Sequence, residues 1–270
     1  MRFVIYYRGR DFENDELATA QKYFVCVDSI LDLKPGDIVV SRFAMWPFFK
    51  DQERDIIRMG AQLMNTTAEH CYVADLKNYV MDLKEMTPKT WTKLSEIPDE
   101  GPFVLKGGTN SRKFEWSTMM YAETKQAASD IYSKLSNDSL IGGQDIYIRQ
   151  YVPLKRYLTG LAGLPITKEF RFFVMFGKIL SGGFYWSSHV DDLEVVPEVS
   201  EVPKEFLQAA IDRIGNSISF YALDVAQTEA GDWMVVELND GQQSGLSEND
   251  PEELYSKMRL AMIERYSPGQ

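Results

Sequence analysis

Residues 221–246, YALDVAQTEAGDWMVVELNDGQQSGL, decide the fold of this chain. Apolar and polar residues alternate on both sides of residues 229–232, a pattern typical of two antiparallel strands joined by a turn. Glu237 and Asn239 are two residues apart, so their side chains leave the same face of one strand. The hairpin brings Asp224 close to Glu237. Three oxygen donors are therefore predicted to converge.

This donor set has two interpretations. Magnesium prefers oxygen ligands, takes one or two of them from carboxylates and leaves the remainder to water and phosphates, so the set suits a metal–nucleotide complex. The alternative is a solvent-facing acidic edge of a sheet, because exposed edges commonly carry charge. The hairpin alone does not decide between them.

The composition is that of a folded globular protein. The 270 residues are 44% hydrophobic and 26% charged, which suffices for one large domain or for two or three small lobes. No apolar run approaches the length of a membrane span, and the charged N-terminus MRFVIYYRGRDFEND differs from a signal peptide. We therefore expect a cytosolic protein with no membrane partner.

Cysteine and histidine are scarce. Cys26 and Cys71, with His70 and His189, are too few for a disulfide framework or a structural zinc site. His70 and Cys71 are adjacent, but a strand or a loop would point their side chains apart. Ordinary packing is the expectation for both.

The net charge of −11 makes a nucleic-acid or anionic-membrane partner unfavourable, because the long-range field repels polyanions. Basic residues nevertheless gather in the middle of the chain. They form either a pocket for a small polyanion such as a triphosphate or a set of solvated surface charges. These residues are Arg112, Lys113, Arg149, Lys155, Arg156 and Arg171.

The first hundred residues predict a small α/β lobe. Residues 2–7 and 37–42 are typical of strands, apolar residues at helical spacing predict a helix within 51–64, and Asp75 is placed to cap another. The lobe is expected to end within residues 87–102, where prolines and glycines interrupt a polar stretch.

Arg42 ends the second of these strands and precedes an aromatic-rich segment that includes Trp46. The arginine either lies over aromatic rings or contacts a substrate anion. With Trp46, it suggests an anionic and partly apolar ligand. The sequence leaves both interpretations open.

A glycine loop follows the predicted strand 103–106. Its glycine pair lets the backbone approach a ligand closely, and residues 109–113 offer hydrogen-bond donors to phosphate oxygens. The Walker pattern GxxxxGK[ST] is absent. An amphipathic helix is predicted next, over residues 124–135.

Residues 145–153 and 169–176 alternate as strands that carry Arg149, Glu169 and Arg171 at polar positions. One arginine can pair with Glu169 across strands. Two arginines beside one carboxylate leave an excess of positive charge, which favours an anion site.

Two further helices are predicted near the C-terminus. Residues 204–218 place their apolar side chains on one face. Asp250 and Pro251 begin the last helix, and Glu253 is placed to close a capping box.

The order of these elements resembles the ATP-grasp superfamily, in which two α+β lobes with antiparallel sheets close on ATP. The resemblance extends over about residues 102–270 and implies an ATP-grasp domain at 100–270, preceded by a small α/β domain at 1–99. Taken together, four segments are similar to the phage and bacterial clade named for two arginines and a lysine. These segments are FVLKGGTNSRK at 103–113, IYIRQYVPL at 146–154, ITKEFRFF at 166–173 and VVELNDGQQSGL at 235–246.

The resemblance implies a nucleotide site. Lys106 matches the lysine that reaches the α-phosphate and the adenine edge. The backbone of Gln150, Tyr151 and Val152 is similar to the hinge that hydrogen-bonds adenine, although many relatives have a glutamate in place of Gln150. Glu169 matches the acidic residue that often holds the ribose hydroxyls.

The resemblance also implies the groups around the phosphates. Arg149 and Arg171 match the two arginines of the clade, directed at phosphate or at the reaction intermediate. Arg112 or Lys113 is expected to replace the second phosphate lysine of the superfamily. The implied magnesium ligands are Asp224, Glu237 and Asn239.

The implied chemistry is ligation. In most relatives a carboxylate attacks the γ-phosphate of ATP, giving an acyl phosphate and ADP, and an amine then displaces phosphate to leave an amide. The acceptor is expected between the N-terminal lobe and the grasp. The sequence does not identify the carboxylate and amine, which are either small molecules or peptides.

Two alternatives stay open. One is ATP-dependent phosphoryl transfer or nucleic-acid end modification, against which the acidic charge weighs. The other is a nucleotide-binding protein without turnover, against which the intact donor set of Asp224, Glu237 and Asn239 weighs.

Overall fold

The computed structural model describes residues 1–9, 14–45 and 47–267, apart from the side chain of Asn14, and these residues form four sheets. The helices are α1 Asn14–Tyr23, α2 Phe49–Arg58, α3 Thr67–Ala74, α4 Leu76–Tyr79, α5 Lys125–Ser136, α6 Lys204–Ile214 and α7 Pro251–Tyr266. The strands are β1 Phe3–Tyr7, β2 Val25–Val27, β3 Ile38–Arg42, β4 Gln62–Leu63, β5 Thr90–Trp91, β6 Glu100–Gly107, β7 Tyr121–Thr124, β8 Ile146–Gln150, β9 Arg156–Thr159, β10 Pro165–Thr167, β11 Glu169–Met175, β12 Lys178–Phe184, β13 Phe220–Gln227 and β14 Trp233–Asp240. Among the described helices, none has the length and apolar character that a membrane crossing requires.

The first sheet is parallel, with strand order β2-β1-β3-β4. Val4 and Tyr6 pack against α2 on one face, whereas Phe3 and Ile5 pack with α1 on the other. Burial on both faces is typical of parallel sheets and explains the apolar run in β1. The predicted strands at 2–7 and 37–42 are confirmed.

The predicted helix within residues 51–64 is only partly correct. Helix α2 ends at Arg58, Gly60 adopts a positive φ of 74°, and the chain returns to the first sheet as β4. A left-handed residue such as this glycine commonly stops a helix.

Helix α3 is absent from the sequence-based predictions. Thr66 and Glu69 form a capping box at its start, and Asp75 caps the short α4 that follows, as predicted. His70 and Cys71 therefore lie on a helix rather than on a strand or a loop.

The second sheet is antiparallel, with strand order β5-β8-β6-β7, and α5 covers one face. Phe103, Leu105 and Ile148 pack against that helix. Because side chains alternate along a strand, Lys106 and Arg149 leave the opposite face.

The third sheet is antiparallel, with strand order β12-β11-β13-β14. One face packs with α6 through residues such as Phe172 and Leu223. The other face packs with α7 and the first sheet through Phe173 and Ala222. Strands β11 and β13 are thus buried on both faces.

The C-terminal helix predictions need two corrections. Helix α6 ends at Ile214 rather than at residue 218, because Gly215 turns the chain with a φ of 57°. Asp250 caps α7 by accepting a hydrogen bond from the Glu252 N–H, 2.8 Å away. Glu253 pairs with Lys257 instead of closing a capping box. The division of the chain into 1–99 and 100–270 stays a prediction.

Candidate active site

The hairpin of β13 and β14 brings the predicted metal ligands together. Asp224 lies directly opposite Glu237 in the strand register. The Asn239 Nδ2 group donates a hydrogen bond of 3.2 Å to Asp224 Oδ2. The predicted convergence of these three side chains on one sheet face is confirmed. The site lies in the interior, since Asp224 is only 1% exposed.

Arg171 forms a buried ion pair with Asp224. The two residues are register partners on β11 and β13, and Arg171 donates from Nε to Oδ1 at 2.8 Å and from Nη2 to Oδ2 at 2.7 Å. Nη1 donates to the Gly245 carbonyl at 3.0 Å. Burial lowers the pKa of Arg171, but the charge of Asp224 outweighs this effect and raises it.

A second ion pair joins the second and third sheets. The Lys106 ammonium on β6 donates to Glu237 on β14. Burial alone would raise the pKa of Glu237, but the positive charges of Lys106 and Lys113 lower it to about 2. Burial lowers the pKa of Lys106, against the attraction of Glu237.

Arg149 is a buried guanidinium without a carboxylate partner among the described residues. Nη1 donates to the Val236 carbonyl and Nη2 to Thr87 Oγ1, both at 2.7 Å, and Nε has no hydrogen-bond partner. The residue is 6% exposed, and burial lowers its pKa. The pairing of an arginine with Glu169, which the sequence allowed, is not formed by Arg171, because Arg171 pairs with Asp224.

Glu169 is buried beside these groups. The Thr167 hydroxyl donates to Glu169 Oε2 at 3.3 Å. Burial raises the pKa of this carboxyl to about 7, although the positive charge of Lys113 opposes the shift. This carboxyl therefore holds its proton more strongly than an exposed glutamate does.

Two adjoining pockets contain most of the predicted site. The first pocket lies between the second and third sheets, and its walls include the apolar side chains of Val104, Met120, Leu154, Met234 and Val236. The predicted site residues that line it are Lys106, Lys113, Arg149, Gln150, Tyr151, Val152, Glu169 and Glu237. An apolar pocket with charged groups at one end is the usual form of a small-molecule site.

The hinge predicted at 150–152 borders this pocket. The Gln150 N–H donates to the Lys89 carbonyl and the Tyr151 N–H to the Pro102 carbonyl, at 2.8 and 3.0 Å. In the part of the chain that the structure describes, the Val152 N–H has no partner. Val152 therefore offers the backbone donor that is free for a ligand.

The glycine loop is organised differently from the expectation. The N–H groups of Thr109 and Asn110 donate to Gln144 Oε1 at 2.9 and 3.3 Å, so these donors are occupied within the protein. The two candidates for a second phosphate-binding cation also separate. Arg112 pairs with Asp138 at 2.6 Å outside both pockets, whereas Lys113 enters the first pocket.

The second pocket shares Glu237 with the first pocket. Arg171 and Asn239 line one side, whereas His70 of α3 and Gln243 after β14 line another. His70 and Gln243 are absent from the predicted site. The capping box of Thr66 and Glu69 could have revealed α3, but the approach of this helix to β14 is tertiary.

Arg42 is held by hydrogen bonds to other residues of the protein. It is buried, it donates to Glu16 Oε1 at 3.1 and 2.8 Å, and it donates to the Gly241 carbonyl at 2.5 Å. The guanidinium lies 5.7 Å from the centre of the Phe173 ring. Its anionic partner is thus a side chain of the protein. Trp46 lies outside the described residues.

The donor set fits a divalent cation that is shared with phosphates. Two carboxylates and one amide are hard oxygen donors, and magnesium sites of this kind use few protein ligands. Among the described residues, no group of three or more His, Cys, Asp or Glu side chains is arranged to hold a metal alone. A cation here would need ligands from a bound substrate.

The fold and the site define an ATP-grasp protein, with a pocket between two antiparallel sheets. The family model for the ATP-grasp domain, R2K clade family 3, matches residues 93–258. The chain therefore belongs to this family. The resemblance inferred from the sequence is therefore confirmed. No curated protein sequence matches the chain.

Solved ATP-grasp ligases share the fold over nearly the whole chain. The D-cycloserine synthetase DcsG is 14% identical with a TM-score of 0.63, and the match covers 96% of this chain and 99% of that one. The ligase PsnB, complexed with minimal precursor, Mg and ADP, is 8% identical with a TM-score of 0.57 over 96% and 97%. The D-alanine–D-alanine ligase of Bacillus anthracis is 12% identical with a TM-score of 0.57 over 98% and 96%. At these low identities, the structural similarity establishes the shared fold alone.

Proposed function

We propose that the protein is an ATP- and magnesium-dependent ligase that joins a carboxylate to an amine through an acyl phosphate. The observation that carries the proposal is that Arg149, buried in the first pocket with Lys106 and Lys113, has no carboxylate partner among the described residues. An isolated buried cation is costly, so its presence in a pocket favours an anionic ligand. The similar folds of the D-cycloserine synthetase DcsG, the ATP-grasp ligase PsnB and the D-alanine–D-alanine ligase support the same reaction class.

The charges suit a triphosphate. Lys106 pairs with Glu237 and Arg171 with Asp224, which leaves Lys113 and Arg149 against Glu169, whose pKa is raised by burial. The pocket thus has a positive excess at its charged end. Its apolar walls suit the nucleotide base, and the free N–H of Val152 suits an acceptor on the base edge.

The side chains have distinct roles in the proposed reaction. Lys106, Lys113 and Arg149 bind phosphate oxygens and hold the γ-phosphate in place for the attacking carboxylate. Arg171, held by Asp224, offers a fixed guanidinium that stabilises developing negative charge without rearrangement. Glu169 accepts hydrogen bonds from the ribose hydroxyls.

Asp224, Glu237 and Asn239 would hold magnesium, which when bound neutralises charge on the β- and γ-phosphate oxygens. Asp224 and Glu237 also hold Arg171 and Lys106, so both cations would stay fixed beside the bound phosphates. No protein nucleophile takes part.

Thermal unfolding with and without Mg-ATP tests nucleotide binding. A ligand at one hundred times its dissociation constant adds about 2.7 kcal/mol to the free energy of unfolding. We expect this ligand-dependent shift in the wild type and in Lys178→Ala, whose lysine forms an exposed ion pair with Glu264. We expect its loss in Lys106→Ala and Asp224→Asn. A wild type without any shift would refute the proposal.

Carboxylate activation tests the reaction class. The protein is incubated with Mg-ATP, hydroxylamine and a panel of amino acids and short peptides, and hydroxamate, ADP and inorganic phosphate are measured. A ligase produces all three in equal amounts. A kinase produces ADP and a phosphorylated product without hydroxamate, and a binding protein produces none of them.

A further inference from the structure

The second pocket adjoins the phosphate end of the proposed nucleotide site. Glu237 lines both pockets, and Arg171 and Asn239 face the second one. The opposite side is formed by α3 through His70 and Val73. A molecule in the second pocket therefore contacts both the N-terminal lobe and the groups that surround the phosphates.

His70 is held rigidly at this position. Its ring stacks on Phe49 with 3.9 Å between ring centres and an angle of 7°. Nδ1 lies 3.0 Å from Asp240 Oδ2. The side chain is 6% exposed, so packing and one carboxylate fix the orientation of the imidazole.

The surroundings of Asp240 determine which nitrogen carries the proton. Asp240 Oδ1 accepts hydrogen bonds from Asn65 Nδ2 at 2.8 Å and from the Gln242 N–H at 2.9 Å. The carboxylate thus acts as an acceptor, and His70 Nδ1 donates to it. Gln243 Nε2 also lies 3.0 Å from Nδ1 and is a donor, because Gln243 Oε1 accepts from the Met45 N–H at 3.0 Å; the charged Asp240 is the stronger of the two partners of Nδ1.

The other nitrogen of His70 is left with a lone pair. In the described ranges of the chain, Nε2 has no hydrogen-bond partner, although His70 lines the second pocket. A carboxylate that binds Nδ1–H and leaves Nε2 as a proton acceptor is the arrangement of a histidine general base. The charged groups that share this pocket are Asp240, Arg171 and Glu237.

We infer that His70 is the base that takes a proton from the acceptor amine, with Asp240 as a positioning residue; this inference rests on the proposed ligase function, whose acceptor is expected between the N-terminal lobe and the grasp, where the second pocket lies. In this step the amine nitrogen forms a C–N bond to the acyl carbon. The bond from that carbon to the phosphate oxygen breaks, and phosphate leaves with the electron pair. His70 Nε2 takes the proton that the ammonium group loses before the attack, and the second proton of the nitrogen leaves with the phosphate.

A comparison of two nucleophiles distinguishes proton transfer by His70 from activation of the carboxylate. Hydroxylamine is uncharged at neutral pH and attacks an acyl phosphate without a base, whereas an amino acid must first lose a proton. For the carboxylate that the hydroxamate assay identifies, His70→Asn is expected to form hydroxamate within about threefold of the wild-type rate. Its rate of amide formation with an amino-acid acceptor is expected to fall about 100-fold or more. His189→Asn is the matched control, because His189 is partly exposed and pairs with Asp192.

The outcomes distinguish the two proposals. If the wild type forms no hydroxamate with any carboxylate, the ligase function fails, and the role of His70 fails with it. If hydroxamate forms but His70→Asn loses both products equally, or neither, only the inference on His70 is overturned.

A second measurement uses the wild type without turnover, so it does not depend on whether the His70→Asn variant folds. The chain has two histidines, so ¹⁵N NMR of the ¹⁵N-histidine-labelled wild type resolves both rings. We expect neutral His70 to carry its proton on Nδ1. A proton on Nε2 would overturn the inference, since that nitrogen could not then accept one.

Discussion

Arg171 and Asp224 face each other on neighbouring strands and are joined by two hydrogen bonds of 2.8 and 2.7 Å. Both residues are buried, at 8% and 1% exposure. A buried ion pair contributes little net stability relative to apolar residues, but removing one partner leaves an uncompensated charge. The pair therefore ties the fold of the third sheet to the charges of the proposed site.

Asp224→Asn is expected to lower the free energy of unfolding by about 3 kcal/mol, because Arg171 stays buried without its counter-charge. Urea denaturation at neutral pH measures the change. Asp55→Asn is the surface control, since Asp55 pairs with Arg58 at 3.1 Å with both side chains exposed. Asp55→Asn should lower the free energy of unfolding by less than about 1 kcal/mol. Equal losses in the two variants would contradict the importance of the buried pair.

The raised pKa of Glu169 predicts that this residue contributes less to the free energy of unfolding as pH rises. Burial raises its pKa from 4.5 to about 7, so the folded protein holds a proton that the unfolded chain releases near pH 4.5. Since the folded state binds more protons in this range, the free energy of unfolding decreases as pH rises from 4.5 to 7. The contribution of this one residue is about 3 kcal/mol, at 1.36 kcal/mol for each pKa unit.

The variant Glu169→Gln isolates this contribution. The variant has no titrating group at this position. The decrease of about 3 kcal/mol in the free energy of unfolding that Glu169 causes between pH 4.5 and 7 should therefore be missing from its profile. Urea unfolding across this range measures both proteins. Parallel profiles for variant and wild type would show that Glu169 titrates normally.

Lys113 and Arg112 provide a matched pair of neighbouring cations. Lys113 lines the first pocket and donates to the Tyr185 hydroxyl at 2.5 Å, whereas Arg112 binds Asp138 outside it. We expect Lys113→Ala to weaken Mg-ATP binding by about tenfold or more, since a charge-assisted contact contributes about 1.5–3 kcal/mol. Arg112→Ala should change affinity less than about twofold. Isothermal titration calorimetry measures both, and the reverse order would assign the phosphate contact to Arg112.

The sequence predicts contacts along a strand better than contacts between sheets. Two-residue alternation correctly places Glu237 and Asn239 on one face, and the hairpin turn adds Asp224. The pairing of Lys106 with Glu237 joins residues 131 positions apart on different sheets, and no local pattern encodes it. Burial, which determines the raised pKa of Glu169, likewise arises from packing.

Contacts between distant parts of the chain also explain why the sequence misses the site of His70 and leaves the role of Arg42 undecided. His70 belongs to a helix whose capping residues are visible in the sequence, but its partner Asp240 comes from β14. Arg42 follows a strand next to aromatic residues, yet its partner Glu16 lies on α1 and the Gly241 carbonyl lies after β14. In each case the partner is distant in the chain.

Arg42 connects three parts of the protein. Glu16 Oε1 accepts hydrogen bonds from Arg42 and from the Tyr255 hydroxyl of α7, the latter at 2.6 Å. Arg42 also holds the Gly241 carbonyl, next to the second pocket. The first sheet, α7 and the segment after β14 are therefore joined through one buried guanidinium.

Arg42→Met should lower the free energy of unfolding by about 3–5 kcal/mol, because Glu16 would stay buried without a counter-charge. Arg54→Met is the control, since Arg54 pairs with Asp51 at 2.8 Å on the surface and should cost less than about 1 kcal/mol. Below the unfolding temperature of the variant, Mg-ATP affinity should stay within about twofold of the wild-type value, because Arg42 is absent from the first pocket. Calorimetry at low temperature measures this affinity. A variant of normal stability that has lost an anionic substrate would instead make Arg42 a ligand contact.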